Sequence, residues 1–152
     1  MVFTLFSCNS FDSAVSYNDT IIEPQLNIIT QIDSIYSDSE ISLENIKKHR
    51  LELVSETEKA INEVRNLKDF KGNTSFRESA MKYFSHLNFL YNKTPNIDSL
   101  IYNLNSDERV INMSDKDYDF MEKELNKYLE LENELLNEQQ KFAKQFNMEL
   151  DF

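Results

Sequence analysis

The sequence predicts an all-α fold, an antiparallel up-down four-helix bundle with a flexible N-terminal tail. Its 152 residues suffice for one domain with a sizeable core, and 40% of them are hydrophobic. The chain has one glycine and two prolines. Because turns between strands depend on these residues, the chain has too few of them to form the turns of a fold built from strands. Apolar residues instead recur every three or four positions, which predicts four helices that bury their apolar faces against one another.

The first predicted helix begins at Tyr17 and ends before a turn at residues 37–40. Pro24 lacks an amide hydrogen, so it belongs in the first turn, or marks a kink if the helix begins at Asn18. The apolar face of this helix consists of Ile22, Leu26, Ile29, Ile32 and Tyr36.

The second predicted helix follows Ser42, whose side chain can cap it, and ends near Asp69. Gly72 then suits the left-handed conformation that closes a helix. Arg50 interrupts the apolar face, which consists of Leu43, Ile46, Leu53, Thr57, Ala60, Ile61, Val64 and Leu67.

The third predicted helix begins at a cap provided by Thr74 or Ser75, and Thr94-Pro95 interrupts it. The apolar positions before the interruption are Phe76, Ala80, Tyr83, Phe84, Leu87 and Leu90 or Tyr91. A kinked or restarted helix continues the pattern with Ile97, Leu100, Ile101 and Leu104.

The fourth predicted helix follows a polar loop at residues 105–113. Ser114 and Asp117 resemble a capping box, with Asp117 in the usual Glu position. Glu132 and Gln139 interrupt a seven-residue apolar pattern that consists of Tyr118, Met121, Leu125, Tyr128, Leu135, Phe142 and Phe146.

The charge and the cysteine count exclude several classes of function. The formal net charge is −11, which repels phosphate backbones and argues against a nucleic-acid partner. A single cysteine rules out an internal disulfide, and it also rules out a cysteine cage for zinc or iron–sulfur within one chain.

A search for catalytic or metal-binding patterns gives no assembled site. His49 and His86 are the two histidines, and neither follows a glutamate by three positions, as di-iron bundles require. One glycine cannot build a phosphate-binding loop. We therefore predict no catalytic residue, no cofactor and no metal ligand, and we expect the protein not to be an enzyme.

The N-terminus carries the one functional signal. Leu5-Phe6-Ser7-Cys8 follows an apolar lead-in and resembles a bacterial lipobox, in which the chain is cut before a cysteine that is then acylated. The resemblance implies lipid attachment at Cys8 and a membrane as partner. Only six residues precede Ser7 and none is basic, so either the start lies upstream or the match is accidental.

Short motifs along the chain resemble a family of small helical lipoproteins of Bacteroidetes, with relatives among spirochaete surface proteins. The motifs are Tyr17-Asn18-Asp19, Asp69-Phe70-Lys71-Gly72 with Phe76-Arg77, and Gln140-Lys141-Phe142-Ala143. The resemblance implies a helical bundle in the cell envelope and supplies no activity. It fits a division into a signal remnant and polar tether at residues 1–16 and a bundle domain at residues 17–152.

The leading hypothesis is a lipid-anchored bacterial envelope protein that acts as a non-catalytic binding or scaffolding module for an unknown protein partner. One alternative is a bundle that binds a small ligand or metal in its core. Its support is the polar residues on the apolar faces, Arg50, Glu132 and Gln139. Another alternative, a cytosolic helical adaptor, follows if the N-terminus is complete. The oligomeric state is left open.

Overall fold

A computed structural model describes residues 8–37, 42–105 and 113–150 of the chain. The predicted all-α class is confirmed for these ranges, which contain helices and no β-strand. Five helices lie in them, one more than the sequence predicts. They are α1 (Cys8–Ser37), α2 (Leu43–Asn66), α3 (Ser75–Lys93), α4 (Ile97–Leu104) and α5 (Asp115–Phe146).

Each long helix packs chiefly against the next one along the chain. Extensive contacts join α1 to α2, α2 to α3 and α3 to α5, and the short α4 packs on α2. Contact between α1 and α5 is sparse by comparison. Among the described residues, the first and last helices are therefore joined less closely than helices that follow one another along the chain.

Helix α1 differs from its prediction in its start and in its buried face. It begins at Cys8, nine residues before Tyr17, and it passes through Pro24, which lies inside the helix. Its most buried positions are seven residues apart, Ala14, Ile21, Ile28 and Ile35. Leu26 was expected in the core but is 58% exposed. Isoleucines adjacent in sequence, at 21–22 and 28–29, allow either of two neighbouring faces, and packing selects the one that starts at Ala14.

Helix α2 buries most of the predicted face and ends earlier than predicted. Leu43 is exposed, and the buried residues are Ile46, Leu53, Val54, Thr57, Ala60 and Val64. The predicted cap is confirmed, because the Ser42 side chain accepts a hydrogen bond of 3.1 Å from the Asn45 amide. The helix ends at Asn66 with Leu67 as its cap, so the prediction that Gly72 closes it is wrong, although Gly72 has the expected positive φ of 85°. That glycine lies in a tight turn that the Asn73 amide closes on the Phe70 carbonyl at 2.9 Å.

Helices α3 and α4 agree closely with the predicted pattern. All expected positions of α3 are buried, and of the alternatives Leu90 and Tyr91 both are buried. The helix stops before Thr94-Pro95, and a separate helix, α4, begins after Asn96, whose backbone is left-handed. Residues 106–112 of the predicted polar loop lie outside the described residues.

Helix α5 confirms its predicted start and only part of its predicted face. The Ser114 side chain accepts a hydrogen bond of 3.2 Å from the Asp117 amide, as in a capping box. Met121, Leu135 and Phe142 are buried as expected. The prediction is wrong for two members of the pattern, because Tyr118 is 46% exposed and Leu125 is 57% exposed. Both lie beside the gap left by the sparse contact with α1.

The two ends of the fold hold different aromatic side chains. Tyr17 near the start of α1 stacks on Phe142 near the end of α5, with ring centroids 5.3 Å apart. Phe70, Phe76 and Phe146 join the same cluster. The opposite end, where α1 finishes and α5 begins, is instead rich in tyrosine. The first end is therefore dominated by phenylalanine, with Tyr17 as its one named hydroxyl-bearing ring, whereas the second end is dominated by tyrosine.

Candidate functional site

Cys8, the predicted lipid attachment site, is the first residue of α1. The remaining lipobox residues, 1–7, lie outside the described residues. Ala14, six positions after Cys8, is fully buried. At about 1.5 Å per helical residue, Ala14 lies about 9 Å from Cys8 along the helix axis. In the described ranges no helix offers an apolar stretch long enough to cross a bilayer.

The two histidines lie apart and each pairs with one carboxylate. His49 Nδ1 lies 3.5 Å from Glu52 on the same helix, and His86 Nε2 lies 3.8 Å from Glu124 on α5. No cluster of three or more potential metal-binding side chains occurs among residues 8–37, 42–105 and 113–150. These contacts join neighbouring turns or helices.

Arg50, the first polar residue on an apolar face, forms a structural ion pair. Its guanidinium nitrogens contact both carboxylate oxygens of Asp98, with Nη2 at 3.2 Å from Oδ2. Nη1 also donates to the Tyr91 carbonyl at 3.1 Å. Because α4 has only eight residues, this two-pronged contact fixes it against α2 and the end of α3.

The other two polar residues on the predicted face of α5 also have internal partners. Gln139 is buried and donates a hydrogen bond of 3.0 Å from Nε2 to Oδ1 of Asn18 on α1. Glu132 accepts a hydrogen bond of 2.9 Å from the Tyr128 hydroxyl. The residues that supported a ligand or metal in the core are thus engaged in contacts within the fold.

A groove of about 580 Å³ lies between the end of α1 and the start of α5. We call it the tyrosine groove. Its floor is formed by Leu87, Leu90 and Tyr91 of α3, which are buried. Ile32 and Tyr36 of α1 form one wall.

The second wall of the tyrosine groove belongs to α5. Met121, Leu125 and Tyr128 line it, and Tyr118 and Glu122 lie one helical turn apart at its start. The groove thus combines an aliphatic interior with tyrosines and a carboxylate. Its volume falls within the about 300–1,000 Å³ that is usual for small-molecule sites.

Three tyrosine hydroxyl groups in and beside the tyrosine groove hold their protons more tightly than a free tyrosine does. Burial, followed by the hydrogen bond that Tyr128 donates to Glu132, raises the pKa of Tyr128 to about 12. Burial, followed by the neighbouring Tyr36 side chain, raises the pKa of Tyr91 well above its ordinary value. Burial also raises the pKa of Tyr83, whose ring packs on that of Tyr128. Groups with such high pKa values do not act as general bases near neutrality.

No family model, curated protein or solved structure matches this chain at a significant level. The resemblance to envelope lipoproteins therefore remains a prediction, and the functional interpretation rests on the chain's own residues.

The tyrosine groove was not predicted from the sequence. The expected pattern placed Tyr118 and Leu125 in the core, because their spacing matches that of the buried residues of α5. One signal was available, namely that three tyrosines lie close to the ends of the predicted helices. Tyr36, Tyr91 and Tyr118 all fall at helix ends that antiparallel neighbours bring together.

Proposed function

We propose that the protein is a lipid-anchored bacterial envelope protein that acts as a non-catalytic binding module. The observation that carries the proposal is the position of the tyrosine groove, at the end of α1 opposite Cys8. Tyr36 follows Cys8 by 28 helical residues, or about 42 Å along the helix axis. An anchor on Cys8 leaves the groove far from the membrane and open to a ligand.

The scaffold that we propose for this module is an antiparallel up-down bundle of the four long helices, α1, α2, α3 and α5. Contacts between helix starts and helix ends support it. Asn18 near the start of α1 meets Gln139 near the end of α5. Lys82 and His86 of α3 meet Glu134 and Glu124 of α5 in reversed order. In such a bundle the start of α1 lies at one end of the molecule and the end of α1 lies at the other.

The short distance between Cys8 and the core supports close attachment to the membrane. Helix α1 includes residues 9–16, the stretch assigned from the sequence to a polar tether. Two or three acyl chains at Cys8 would hold the phenylalanine-rich end about 10 Å from the lipid headgroups, because the connection is helical. The acidic surface, with a net charge of −11, favours projection away from anionic lipids.

Metabolic labelling with a fatty-acid analogue tests the proposal. The gene is expressed in a bacterium with its upstream region included, and wild type is compared with Cys8→Ala. We expect label on the wild type and none on the variant. The matched control is Ser10→Ala, which should keep the label. Absence of label from the wild type would overturn lipid anchoring and favour a cytosolic adaptor.

A further inference from the structure

We infer that the tyrosine groove binds an organic cation with an apolar body. The inference rests on the proposed function, because it names the ligand class of the binding module. Three properties of the groove carry it: an aliphatic interior, a negative electrostatic environment and partly exposed tyrosines in its lining.

The interior of the groove selects for an apolar body. Leu87 and Leu90 of α3, Ile32 of α1 and Met121 of α5 line it. None of these four side chains can donate a hydrogen bond. A ligand that fills the groove gains chiefly by the removal of apolar surface from water.

The charges around the groove select against anions. Glu122 is part of the lining, and the carboxylates of Asp33 and Glu132 lie close enough to act on the Tyr128 hydroxyl. Within the described residues, no lysine or arginine lines the groove. Because opposite charges attract more strongly beside a low-dielectric wall, a cation is favoured here over a neutral group, and a neutral group over an anion.

The Tyr128 hydroxyl proton is already donated, because it forms a hydrogen bond of 2.9 Å to Glu132. A carboxylate or phosphate ligand would therefore have to break this hydrogen bond to obtain a donor from Tyr128.

Two partly exposed tyrosines of the lining can recognise an organic cation. Tyr118 is 46% exposed and Tyr36 is 38% exposed, and they belong to the two helices on either side of the groove. Glu122 follows Tyr118 by one helical turn, so the two side chains are neighbours on the surface of α5. A substituted ammonium group is attracted by both, through the cation–π interaction and through Coulomb attraction.

Calorimetric titration of the full chain, purified without lipid, tests this inference. The probes are decyltrimethylammonium, decyl maltoside and decyl sulfate, each below its micelle concentration. They share an alkyl chain and differ in the charge of the headgroup. We expect one saturable site per chain, with the cation bound most tightly and the sulfate most weakly.

Variants at the entrance separate the charge effect from the apolar effect. Tyr118→Leu and Glu122→Gln should each weaken binding of the cation by about two- to five-fold and leave the maltoside unchanged. Leu125→Arg should abolish binding of the cation, because it places a positive charge in the wall. Leu136→Arg is the matched control: this exposed leucine of α5 lies outside the lining, and the variant should bind like wild type.

Equal affinity for the three probes, or no saturable binding of the cation, would overturn the inference. An equal loss of affinity for the cation in Leu125→Arg and Leu136→Arg would overturn the inference as well. A dimer that Leu125→Arg converts into a monomer would assign the groove to a second copy of the chain instead. The titration uses protein without lipid, so it tests the ligand of the groove independently of the lipid anchor. A negative titration would not count against lipid attachment at Cys8, and a negative labelling result would not count against ligand binding.

Discussion

Arg50 shows how a single charged side chain serves the fold at the residue scale. Its guanidinium binds Asp98 and the Tyr91 carbonyl, and only 13% of its side chain is exposed. We predict that Arg50→Ala lowers the free energy of unfolding by about 1–3 kcal/mol, because it leaves a half-buried carboxylate and a carbonyl without their donor.

Urea denaturation followed by circular dichroism measures this loss. Arg65→Ala is the control, because Arg65 is exposed and forms a long hydrogen bond of 3.4 Å to Asn62 on the same helix. The control should change stability by less than about 0.5 kcal/mol. Equal effects of the two substitutions would show that the Arg50 contacts contribute nothing.

The tyrosines near the groove give a pH-dependent prediction at the same scale. The pKa of Tyr128 is about 12 in the folded chain and 10.0 for a free tyrosine. The folded state therefore holds the proton more tightly than the unfolded state does between these values. The contribution of Tyr128 to the free energy of unfolding is therefore fully present below pH 10 and is lost as the pH rises toward 12.

Tyrosinate absorbance during an alkaline titration measures this behaviour. We expect Tyr128 to ionise near pH 12 and the buried Tyr83 and Tyr91 to ionise only on unfolding. Tyr128→Phe should remove one high-pH step and should reduce the loss of stability above pH 10. Ionisation of all seven tyrosines together near pH 10 in folded protein would contradict the buried positions.

At the scale of the element, the pair formed by Asn18 and Gln139 joins the first and last helices where they touch. Each residue is less than a tenth exposed, and the amides are 3.0 Å apart. We predict that Gln139→Leu alone costs about 1–2 kcal/mol, because Asn18 loses a buried partner. Replacing both residues by leucine should recover most of the lost free energy of unfolding, because neither position then holds an unpaired polar group.

A double-mutant cycle measured by urea denaturation checks this prediction. The coupling between the two positions should exceed about 0.5 kcal/mol, as expected for residues in contact. Strictly additive effects would show that α1 and α5 do not meet at this pair.

The helices themselves differ in how well the sequence predicts them. All the expected core positions of α3 are buried, because that helix packs between α2 and α5 and has a single apolar face. In α1, adjacent isoleucines leave the choice of face to tertiary packing, and Leu26 was misplaced for that reason. Element boundaries set by caps, at Ser42 and Ser114, were found because capping depends on local chemistry alone.

At the scale of the whole molecule, the tyrosine groove arises from an incomplete contact that no local pattern encodes. Tyr118 and Leu125 have the spacing of core residues, yet α1 contacts α5 too sparsely to cover them. Whether a stripe is buried depends on its partner helix, so periodicity alone predicted the helix and missed the groove. The lipobox-like segment, in contrast, predicts lipid attachment from a short run of residues, and this prediction does not depend on how the helices pack.

Our central claim is that Cys8 joins the bundle to a membrane, and mass spectrometry of the N-terminal peptide tests it most directly. The protein is isolated from the membrane fraction of a bacterium that carries the gene with its upstream region. We predict a mature chain that begins at Cys8, with acyl groups on its thiol sulfur and residues 1–7 absent. A peptide in which residues 1–7 remain joined to an unmodified Cys8 would contradict the claim.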